Sequence, residues 1–425
     1  MLISKELNEK LTRVGPGTPM GEVFRRYWIP ACLAEELPEP DGAPVRVRLL
    51  GEDLVAFRDT AGDVGLLDAY CAHRRAPLFF GRNEECGLRC VYHGWKFDTL
   101  GNCVDMPSEP PYSKFRLRVS IKSYPTYEAG GLIWTYMGPT NQMPPPPEYE
   151  WLRAPAPDFF RISKTGEQCN FLQAIEGGID TAHSSFTHNN DLSNPRLLRN
   201  LDPHPRLEVD ETPYGYRYAS LRNISDETTY LRVYQFIMPF QQMRGGLLDF
   251  EGNRADIPAI HGHLWVPIDD ETTWVYNFLL AAENDVTITD EWWARQEHRF
   301  GRGKEDYIPG TYWLKANASN DFFIDRQVQR TKTFTGIEGV NTQDFALQIG
   351  MGPVVDRSQE ALGSTDRAIQ AARRLLIEAM DDVASERPPR GTDPEPCRGV
   401  RGADLLVPRG SDWKDVSKEL TTAYW

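Results

Sequence analysis

The apolar positions of this chain change period along its length, and each change predicts a different element. Leu7, Leu11 and Val14 recur at helical spacing ahead of the breaker segment PGTP (16–19), so the chain opens on a short helix. From Val45 to Val119 the pattern turns to strand type: VRVRLL (45–50), LVAFRD (54–59) and VGLLDAY (64–70) are set apart by GED and TAGD. NQMPPPPEYEW (141–151) holds too many prolines for any regular element and marks a domain boundary. Beyond it NFLQAIEGGIDTAHSSFTH (170–188) reads as helical. YGYRYASLRNI, TTYLRVYQFIMPF, HGHLWVPID and TTWVYNFLLA then follow as strands of an antiparallel sheet. STDRAIQAARRLLIEAMDD (364–382) carries the stripe Ile369, Ala372, Leu376, Met380 behind a capping Ser/Thr/Asp segment, which predicts an amphipathic helix. The expected fold class is α+β. A β-rich domain with a helical N-terminal segment covers 1–145, and a second domain over 146–385 carries an antiparallel sheet covered by helices. The Pro-, Gly- and charge-rich remainder, 386–425, is expected to be a tail that hugs the surface.

Composition narrows the function classes. At 425 residues, 40% apolar and 25% charged, the sequence is of ordinary globular type, outside the disordered class. A formal net charge of −14 argues against nucleic acid, whose phosphates are bound by basic surfaces, although a local basic pocket can still receive a small anion. The N-terminal MLISKELNEKLTRVG carries charge where an export signal needs an apolar stretch, and no run of about 18 apolar residues exists to span a membrane. A cytoplasmic location is therefore expected. Seven cysteines, odd in number and sparse, do not make a disulfide framework in a reducing compartment.

Four of the scarce residues stand together as Cys71-Ala72-His73 and Cys90-Val91-Tyr92-His93, with sixteen residues between His73 and Cys90. Two thiols and two imidazoles could bind zinc, whose ligand pairs usually sit two to four residues apart, or hold an iron–sulfur cluster. A Rieske [2Fe–2S] centre takes two thiolates on one iron and two imidazoles on the other, a demand met by two loops that each deliver one Cys and one His. Gly81, Gly87 and Gly94 leave the backbone free to wrap closely. The run C-x-H-R followed by C-x-x-H-G-W-K-F-D resembles the cluster-binding motif of Rieske non-haem iron ring-hydroxylating oxygenases. GLRCVYHGWKFDTLGNCVDMPSEP (87–110) is similar to their phthalate dioxygenase group. The resemblance implies that Cys71, His73, Cys90 and His93 bind a [2Fe–2S] cluster. Many members read CPHRG where this chain has Ala72 and Arg75; neither is a ligand, and Arg75 is expected to bear on redox potential or partner docking. Cys86 and Cys103 match no ligand position and are expected to be buried thiols.

A Rieske cluster alone only moves electrons, whereas an oxygenase also needs a metal with open positions, commonly held by two His and one carboxylate. In EGGIDTAHSSFTHNND (176–191), Asp180 and His183 are three apart and share a face if helical. His183 and His188, five apart, would diverge by about 140° on a regular helix, so the helix must end or loosen between them, with SSFT (184–187) the expected place. Periodicity does not choose a carboxylate among Asp321, Asp325 and Asp344. The resemblance does: D-x-x-H-x-x-x-x-H is matched by Asp180, His183 and His188, and GVNTQDFALQIGMGPVVDRSQEALGSTDRAI (339–369) is similar to the family's C-terminal signature, implying Asp344 as third ligand. Asp356, Glu360 and Asp366 fall to hydrogen-bonding or capping roles. Asp180 is implied to be a catalytic residue but no ligand, bridging His183 to the partner subunit's His93 in a trimer or stacked trimers. His261 and His263 alternate in a strand and are expected to be satisfied within the sheet.

The resemblance, which spans roughly residues 1 to 382, implies a terminal oxygenase component that uses O₂ and Fe(II). Electrons from NAD(P)H would arrive through a separate flavin- or ferredoxin-type reductase, since the chain has no glycine-rich dinucleotide fingerprint. The expected reaction is cis-dihydroxylation of a phthalate- or benzoate-like acid in aromatic catabolism. O-demethylation of a methoxylated or aryl-ether acid is the second reading, and an electron carrier without oxygenase activity the third. A carboxylated substrate asks for a bidentate arginine; Arg244 in QQMRGG (241–246) is the first candidate and Arg206 the second.

Overall fold

The protein is described by a computed structural model covering residues 3–424. Its two compact units meet in sequence inside the proline run: Val14–Pro146 form one, and 147–424 with 3–13 form the other.

The smaller unit is built from three antiparallel sheets. Val45–Leu49, Glu52–Arg58 and Val64–Asp68 form the meander that the alternation predicts, closed by Ser123–Tyr124. Trp28–Leu33, Leu132–Tyr136 and Thr126–Ala129 make the second sheet. Four short strands, Arg82–Asn83, Leu88–Arg89, Lys96–Phe97 and Cys103–Asp105, make the third. A core that includes Val55, Phe57, Leu67, Leu78, Leu88 and Phe97 also buries Cys71 and Cys90.

The larger unit is organised on an eight-stranded antiparallel sheet. Its strands are β1 (Phe160–Glu167), β2 (Arg206–Thr212), β3 (Gly215–Asn223), β4 (Thr228–Ile237), β5 (Gln241–Leu248), β6 (Arg254–Pro267), β7 (Thr273–Ala281) and β8 (Ala403–Pro408). They follow the order β1-β7-β6-β5-β4-β3-β2, with β8 paired to the first half of β4 and β5 to its second half. Register aligns Tyr218, Tyr234, Arg244, His261 and Leu279 in one row across β3 to β7. Tyr216, Phe236, Gln242, His263 and Asn277 align in the row two residues away, and so on the same face.

The helices that accompany the sheet include α1 (Lys5–Thr12), α2 (Phe171–Ile179), α3 (Val340–Gly350) and α4 (Arg367–Ala384), and the helix Asp290–Phe300 carries Arg299. Two glycines let α2 lie close to its neighbours. A Cβ on Gly178 would stand 2.2 Å from the Trp265 ring, and one on Gly177 would stand 1.9 Å from Gln348 Nε2 on α3. Sheet side chains satisfy the last carbonyls of α2, with the Tyr218 hydroxyl donating to Ile179 O (2.9 Å) and Gln242 Nε2 to Gly178 O (2.7 Å). The stripe Ile369, Ala372, Leu376 and Met380 on α4 is buried as its spacing predicts.

Two boundaries differ from those read off the chain. The N-terminal helix groups with the larger unit rather than with residues 14–145, because Asn8 donates to Val355 O (2.9 Å) and accepts from Arg357 (3.2 Å), while Asn170 donates to Thr12 O (2.9 Å). The stretch 386–425 is more than a surface tail, since ADLLVP (403–408) completes the sheet as β8 and buries Ala403 and Val407 against it. That strand covers backbone groups of β4 that would otherwise form an open edge.

Candidate functional site

Two loops of the smaller unit are closed in the same way. Cys71 O accepts from Arg75 N (3.0 Å) while Cys71 N donates to Ala76 O (2.9 Å); Cys90 O accepts from Gly94 N (2.9 Å) while Cys90 N donates to Trp95 O (2.8 Å). Each closure needs a left-handed residue at its fifth position, Arg75 (φ 57°) in one and Gly94 (φ 79°) in the other. For arginine this conformation costs about 1–2 kcal/mol. Arg75 is tethered there by Asp68 at 3.0 Å and by the Tyr70 ring at 4.7 Å, so its backbone closes the loop while its guanidinium is held by the residues just before it.

The two loops bring four donors together. His73 Nδ1 and His93 Nδ1 stand 3.0 Å apart, and the Trp95 ring stacks on His73 at 4.6 Å. Cys71 and Cys90 are buried, and burial pushes the Cys71 thiol up to about 11, so a bound metal rather than solvent would remove its proton. Two thiols inside and two imidazoles outside are the donor set of a Rieske centre, and a zinc site has no need of that division. Cys103 is buried as expected, but Cys86 is exposed, because it sits left-handed (φ 54°) in the turn that leads into Leu88–Arg89.

In the larger unit, α2 stops at Ile179, before both histidines and not within SSFT. Asp180 ends it in an extended conformation (ψ 127°) and accepts from Ala182 N at 2.8 Å. This turn, rather than a shared helix face, puts Asp180 Oδ2 3.3 Å from His183 Nδ1. His188 Nδ1 lies 2.9 Å from Gln343 Oε1. Because Gln343 Nε2 donates to Asn190 Oδ1 (2.7 Å) and Ile337 O (2.8 Å), its oxygen must accept, so the His188 proton sits on Nδ1. Both imidazoles therefore turn Nε2 inward. These atoms are 3.1 Å apart and lie 3.5 Å (His183) and 3.2 Å (His188) from Asp344 Oδ1 on α3. Burial alone would raise the Asp344 pKa, but His188 and His183 hold the carboxyl well below the usual carboxylate range. Two imidazole nitrogens and a carboxylate with their remaining ring nitrogens tied outward are a donor set suited to a divalent transition metal. Of the other carboxylates considered, Asp325 caps the helix Arg326–Thr331 through Gln327 N and Val328 N, and Asp321 is exposed.

A cavity of about 330 Å³ opens beside the three donors, walled by the sheet row Tyr234, Arg244 and His261 and by Phe250. Its volume suits a single-ring molecule. Five guanidiniums line it, and of these Arg254 pairs with Glu283 at 2.7 Å, whereas Arg199, Arg232, Arg244 and Arg299 have no carboxylate in a salt bridge among the described residues. Arg232 is spent on the Gly245 carbonyl, at 3.0 Å from Nε and 2.5 Å from Nη2. Arg299 and Arg199 lie over Phe250 at 4.2 and 5.5 Å. Burial, with Arg232 nearby, lowers the Arg244 pKa to about 10, which leaves it cationic at neutral pH. A chain of net charge −14 thus keeps a cationic wall for an anion. Arg206 is elsewhere: it is exposed, pairs with Glu208 at 2.5 Å and borders a separate small cavity near Trp413. Arg199, Arg232, Arg299 and Gln343 escaped the sequence reading; only Gln343, adjacent to Asp344, carried any signal there.

A family model described as "Rieske [2Fe-2S] domain" matches residues 27–125, and one described as "LigXa C-terminal domain like" matches 135–423. The phthalate 4,5-dioxygenase oxygenase subunit of Pseudomonas putida is 39% identical over 97% of this chain and 94% of its own length. The 3-chlorobenzoate-3,4-dioxygenase oxygenase subunit of Comamonas testosteroni is 36% identical over 99% and 98%. The 5,5'-dehydrodivanillate O-demethylase oxygenase subunit of a Sphingobium species is 32% identical over 99% and 90%. Among solved structures, dicamba monooxygenase bound to dicamba matches with a TM-score of 0.59 over 85% of this chain and 98% of its own, at 18% identity, a likeness of fold alone.

Proposed function

Since the chain belongs to the Rieske non-haem iron ring-hydroxylating oxygenases, as an oxygenase subunit of the phthalate dioxygenase group, we propose that it dihydroxylates a carboxylated aromatic ring held beside His183, His188 and Asp344. A Rieske cluster supplies single electrons, and a ferrous ion on two imidazoles and one carboxylate supplies open positions for O₂. In this reading Cys71, His73, Cys90 and His93 hold the cluster, and the three donors of the larger unit hold the iron. As an oxygenase subunit the protein takes electrons from a separate partner, here proposed to be an NAD(P)H-dependent reductase. Asp180, with one oxygen on His183, is proposed to reach the partner subunit's His93 with the other and so join the two centres across a trimer.

One observation carries the choice of substrate: Arg244, cationic and without a carboxylate partner, on the wall of the cavity beside the iron donors. A guanidinium there can take a ring carboxylate in a bidentate pair and leave the ring to face the metal. The test compares phthalate with dimethyl phthalate in Arg244→Leu. Loss of a largely desolvated charge pair costs about 2–5 kcal/mol, so KM should rise steeply for the acid and little for the ester. Equal effects on both would show that Arg244 does not anchor a carboxylate. The O-demethylase relative supports O-demethylation of a methoxylated acid as the second reading. Both reactions use the same anchor, and the products separate them: a diol that keeps every ring substituent, or a phenol with released formaldehyde.

A further inference from the structure

The residue that holds Arg244 is the second histidine of the H-x-H pair. Arg244 on β5 is paired with His261 on β6; His263 is its diagonal neighbour there, and Asn277 on β7 lies directly opposite His263. Arg244 Nη1 stands 2.8 Å from His263 Nε2, and His263 Nδ1 stands 2.8 Å from Asn277 Oδ1. A guanidinium can only donate, so Nε2 accepts and the ring carries its proton on Nδ1. That proton goes to Asn277 Oδ1, and Asn277 Nδ2 donates to Val275 O at 3.2 Å, which fixes the amide's orientation. Donors therefore run in one direction along the row, and no alternative tautomer satisfies it.

We infer that His263 and Asn277 are positioning residues that aim Arg244 at the substrate carboxylate, an assignment that rests on the anchor reading above. Arg244 needs such a hold. It is repelled by nearby Arg232, and the imidazole is the one side chain whose hydrogen bond holds it among the described residues. The bond to His263 engages Nη1 and leaves the other donors of the fork for a carboxylate. His263 is 7% exposed, and burial with Arg244 beside it lowers its pKa well below the ordinary value, in keeping with a neutral acceptor. His261, though paired with Arg244 in register, packs edge-on against Phe300 at 5.9 Å and fills the space a side chain on Gly246 would take.

The experiment measures equilibrium binding of phthalate and of dimethyl phthalate to the iron-loaded holoenzyme without O₂, by calorimetry. His263→Met fills similar space without an acceptor and should weaken phthalate about tenfold, the worth of one hydrogen bond to a charged group, while leaving the diester nearly unchanged. His263→Gln restores an acceptor at the same reach and should recover most of the loss. Asn277→Val, one strand further from the cavity, should show the same carboxylate-selective loss and serves if the histidine variants fold poorly. In an Arg244→Leu background, His263→Met should add nothing. Additive losses, or equal losses for acid and diester, would overturn the assignment and make His263 a packing residue. If Arg244→Leu weakens phthalate but neither His263→Met nor Asn277→Val does, the assignment alone falls. If Arg244→Leu leaves phthalate binding intact, the anchor reading falls and takes this one with it.

Discussion

Replacing Gln343 by Leu tests whether the proposed iron site depends on the tautomer of His188. Gln343 is fully buried, and its Oε1 takes the His188 Nδ1 proton while its amide is held by Asn190 and Ile337. Leucine fills similar space but accepts nothing, which leaves a buried imidazole N–H unpaired at about 1–3 kcal/mol. His188 can relieve that cost only by moving the proton to Nε2, the atom that must face the metal. Either way Fe(II) binding bears the loss, in line with the 10–100-fold effect (about 1.4–2.7 kcal/mol) typical of residues that orient a metal's histidines. The assay is an anaerobic competition for Fe(II) with a chelator, with the visible absorption of the cluster as internal control, since the cluster loops lie in the other unit. Gln343→Glu separates the two roles of this side chain. A carboxylate still accepts from Nδ1, so iron affinity should survive, but the donors to Asn190 and Ile337 are gone, so thermal stability should drop. Wild-type iron affinity in Gln343→Leu, or an equal loss in both variants, would refute the tautomer argument.

Asp344→Ala should empty the iron site while the cluster still reduces normally, because two imidazoles alone hold Fe(II) weakly, whereas Asp321→Ala should leave iron content and turnover unchanged; metal analysis of both variants decides. Asp180→Asn should keep both metals yet slow cluster reoxidation by orders of magnitude in a single turnover with substrate and O₂, since an amide oxygen cannot replace a carboxylate between two imidazole N–H groups; reoxidation at the wild-type rate would remove Asp180 from the electron path. Glu176 sits between Arg357 (3.0 Å) and Arg373 (2.6 Å); Glu176→Gln leaves Arg373 to Glu360 (2.7 Å) but strands the buried Arg357, and should cost about 3–5 kcal/mol in urea unfolding at neutral pH. Burial alone would raise the Glu176 pKa, but the two guanidiniums outweigh it and hold the carboxyl below its ordinary 4.5. Its stabilisation is therefore complete above pH 4.5 and is lost as pH falls through the folded value, so the gap between wild type and Glu176→Gln should narrow in acid; a gap that stays constant down to pH 3 would show that the charge is not what matters there.

What the sequence determined by itself was chemistry carried by near neighbours. The proline run sets the unit boundary, alternation sets the strands, and one Cys and one His in each of two turns set the donor content of the smaller unit, because each depends on residues a few positions apart. Even the left-handed fifth residue of each loop was foreshadowed by Gly94, although Arg75 hides it in the first loop. Tertiary structure decided whatever depended on distant segments meeting. Asp321, Asp325 and Asp344 are equivalent in any local pattern. They separate only because Gly177 lets α2 and α3 approach, which brings Asp344 to His183 and His188 while Asp325 spends its carboxylate on a helix cap. The same holds for Arg244 and Arg206, two arginines of like appearance on strands of one sheet. Strand register gave Arg244 a neutral imidazole acceptor and a cavity wall, whereas Arg206 is paired in water with Glu208, two residues along its own strand. The role of Arg244 is set by what stands across the sheet from it, and no local window along the chain contains that neighbour.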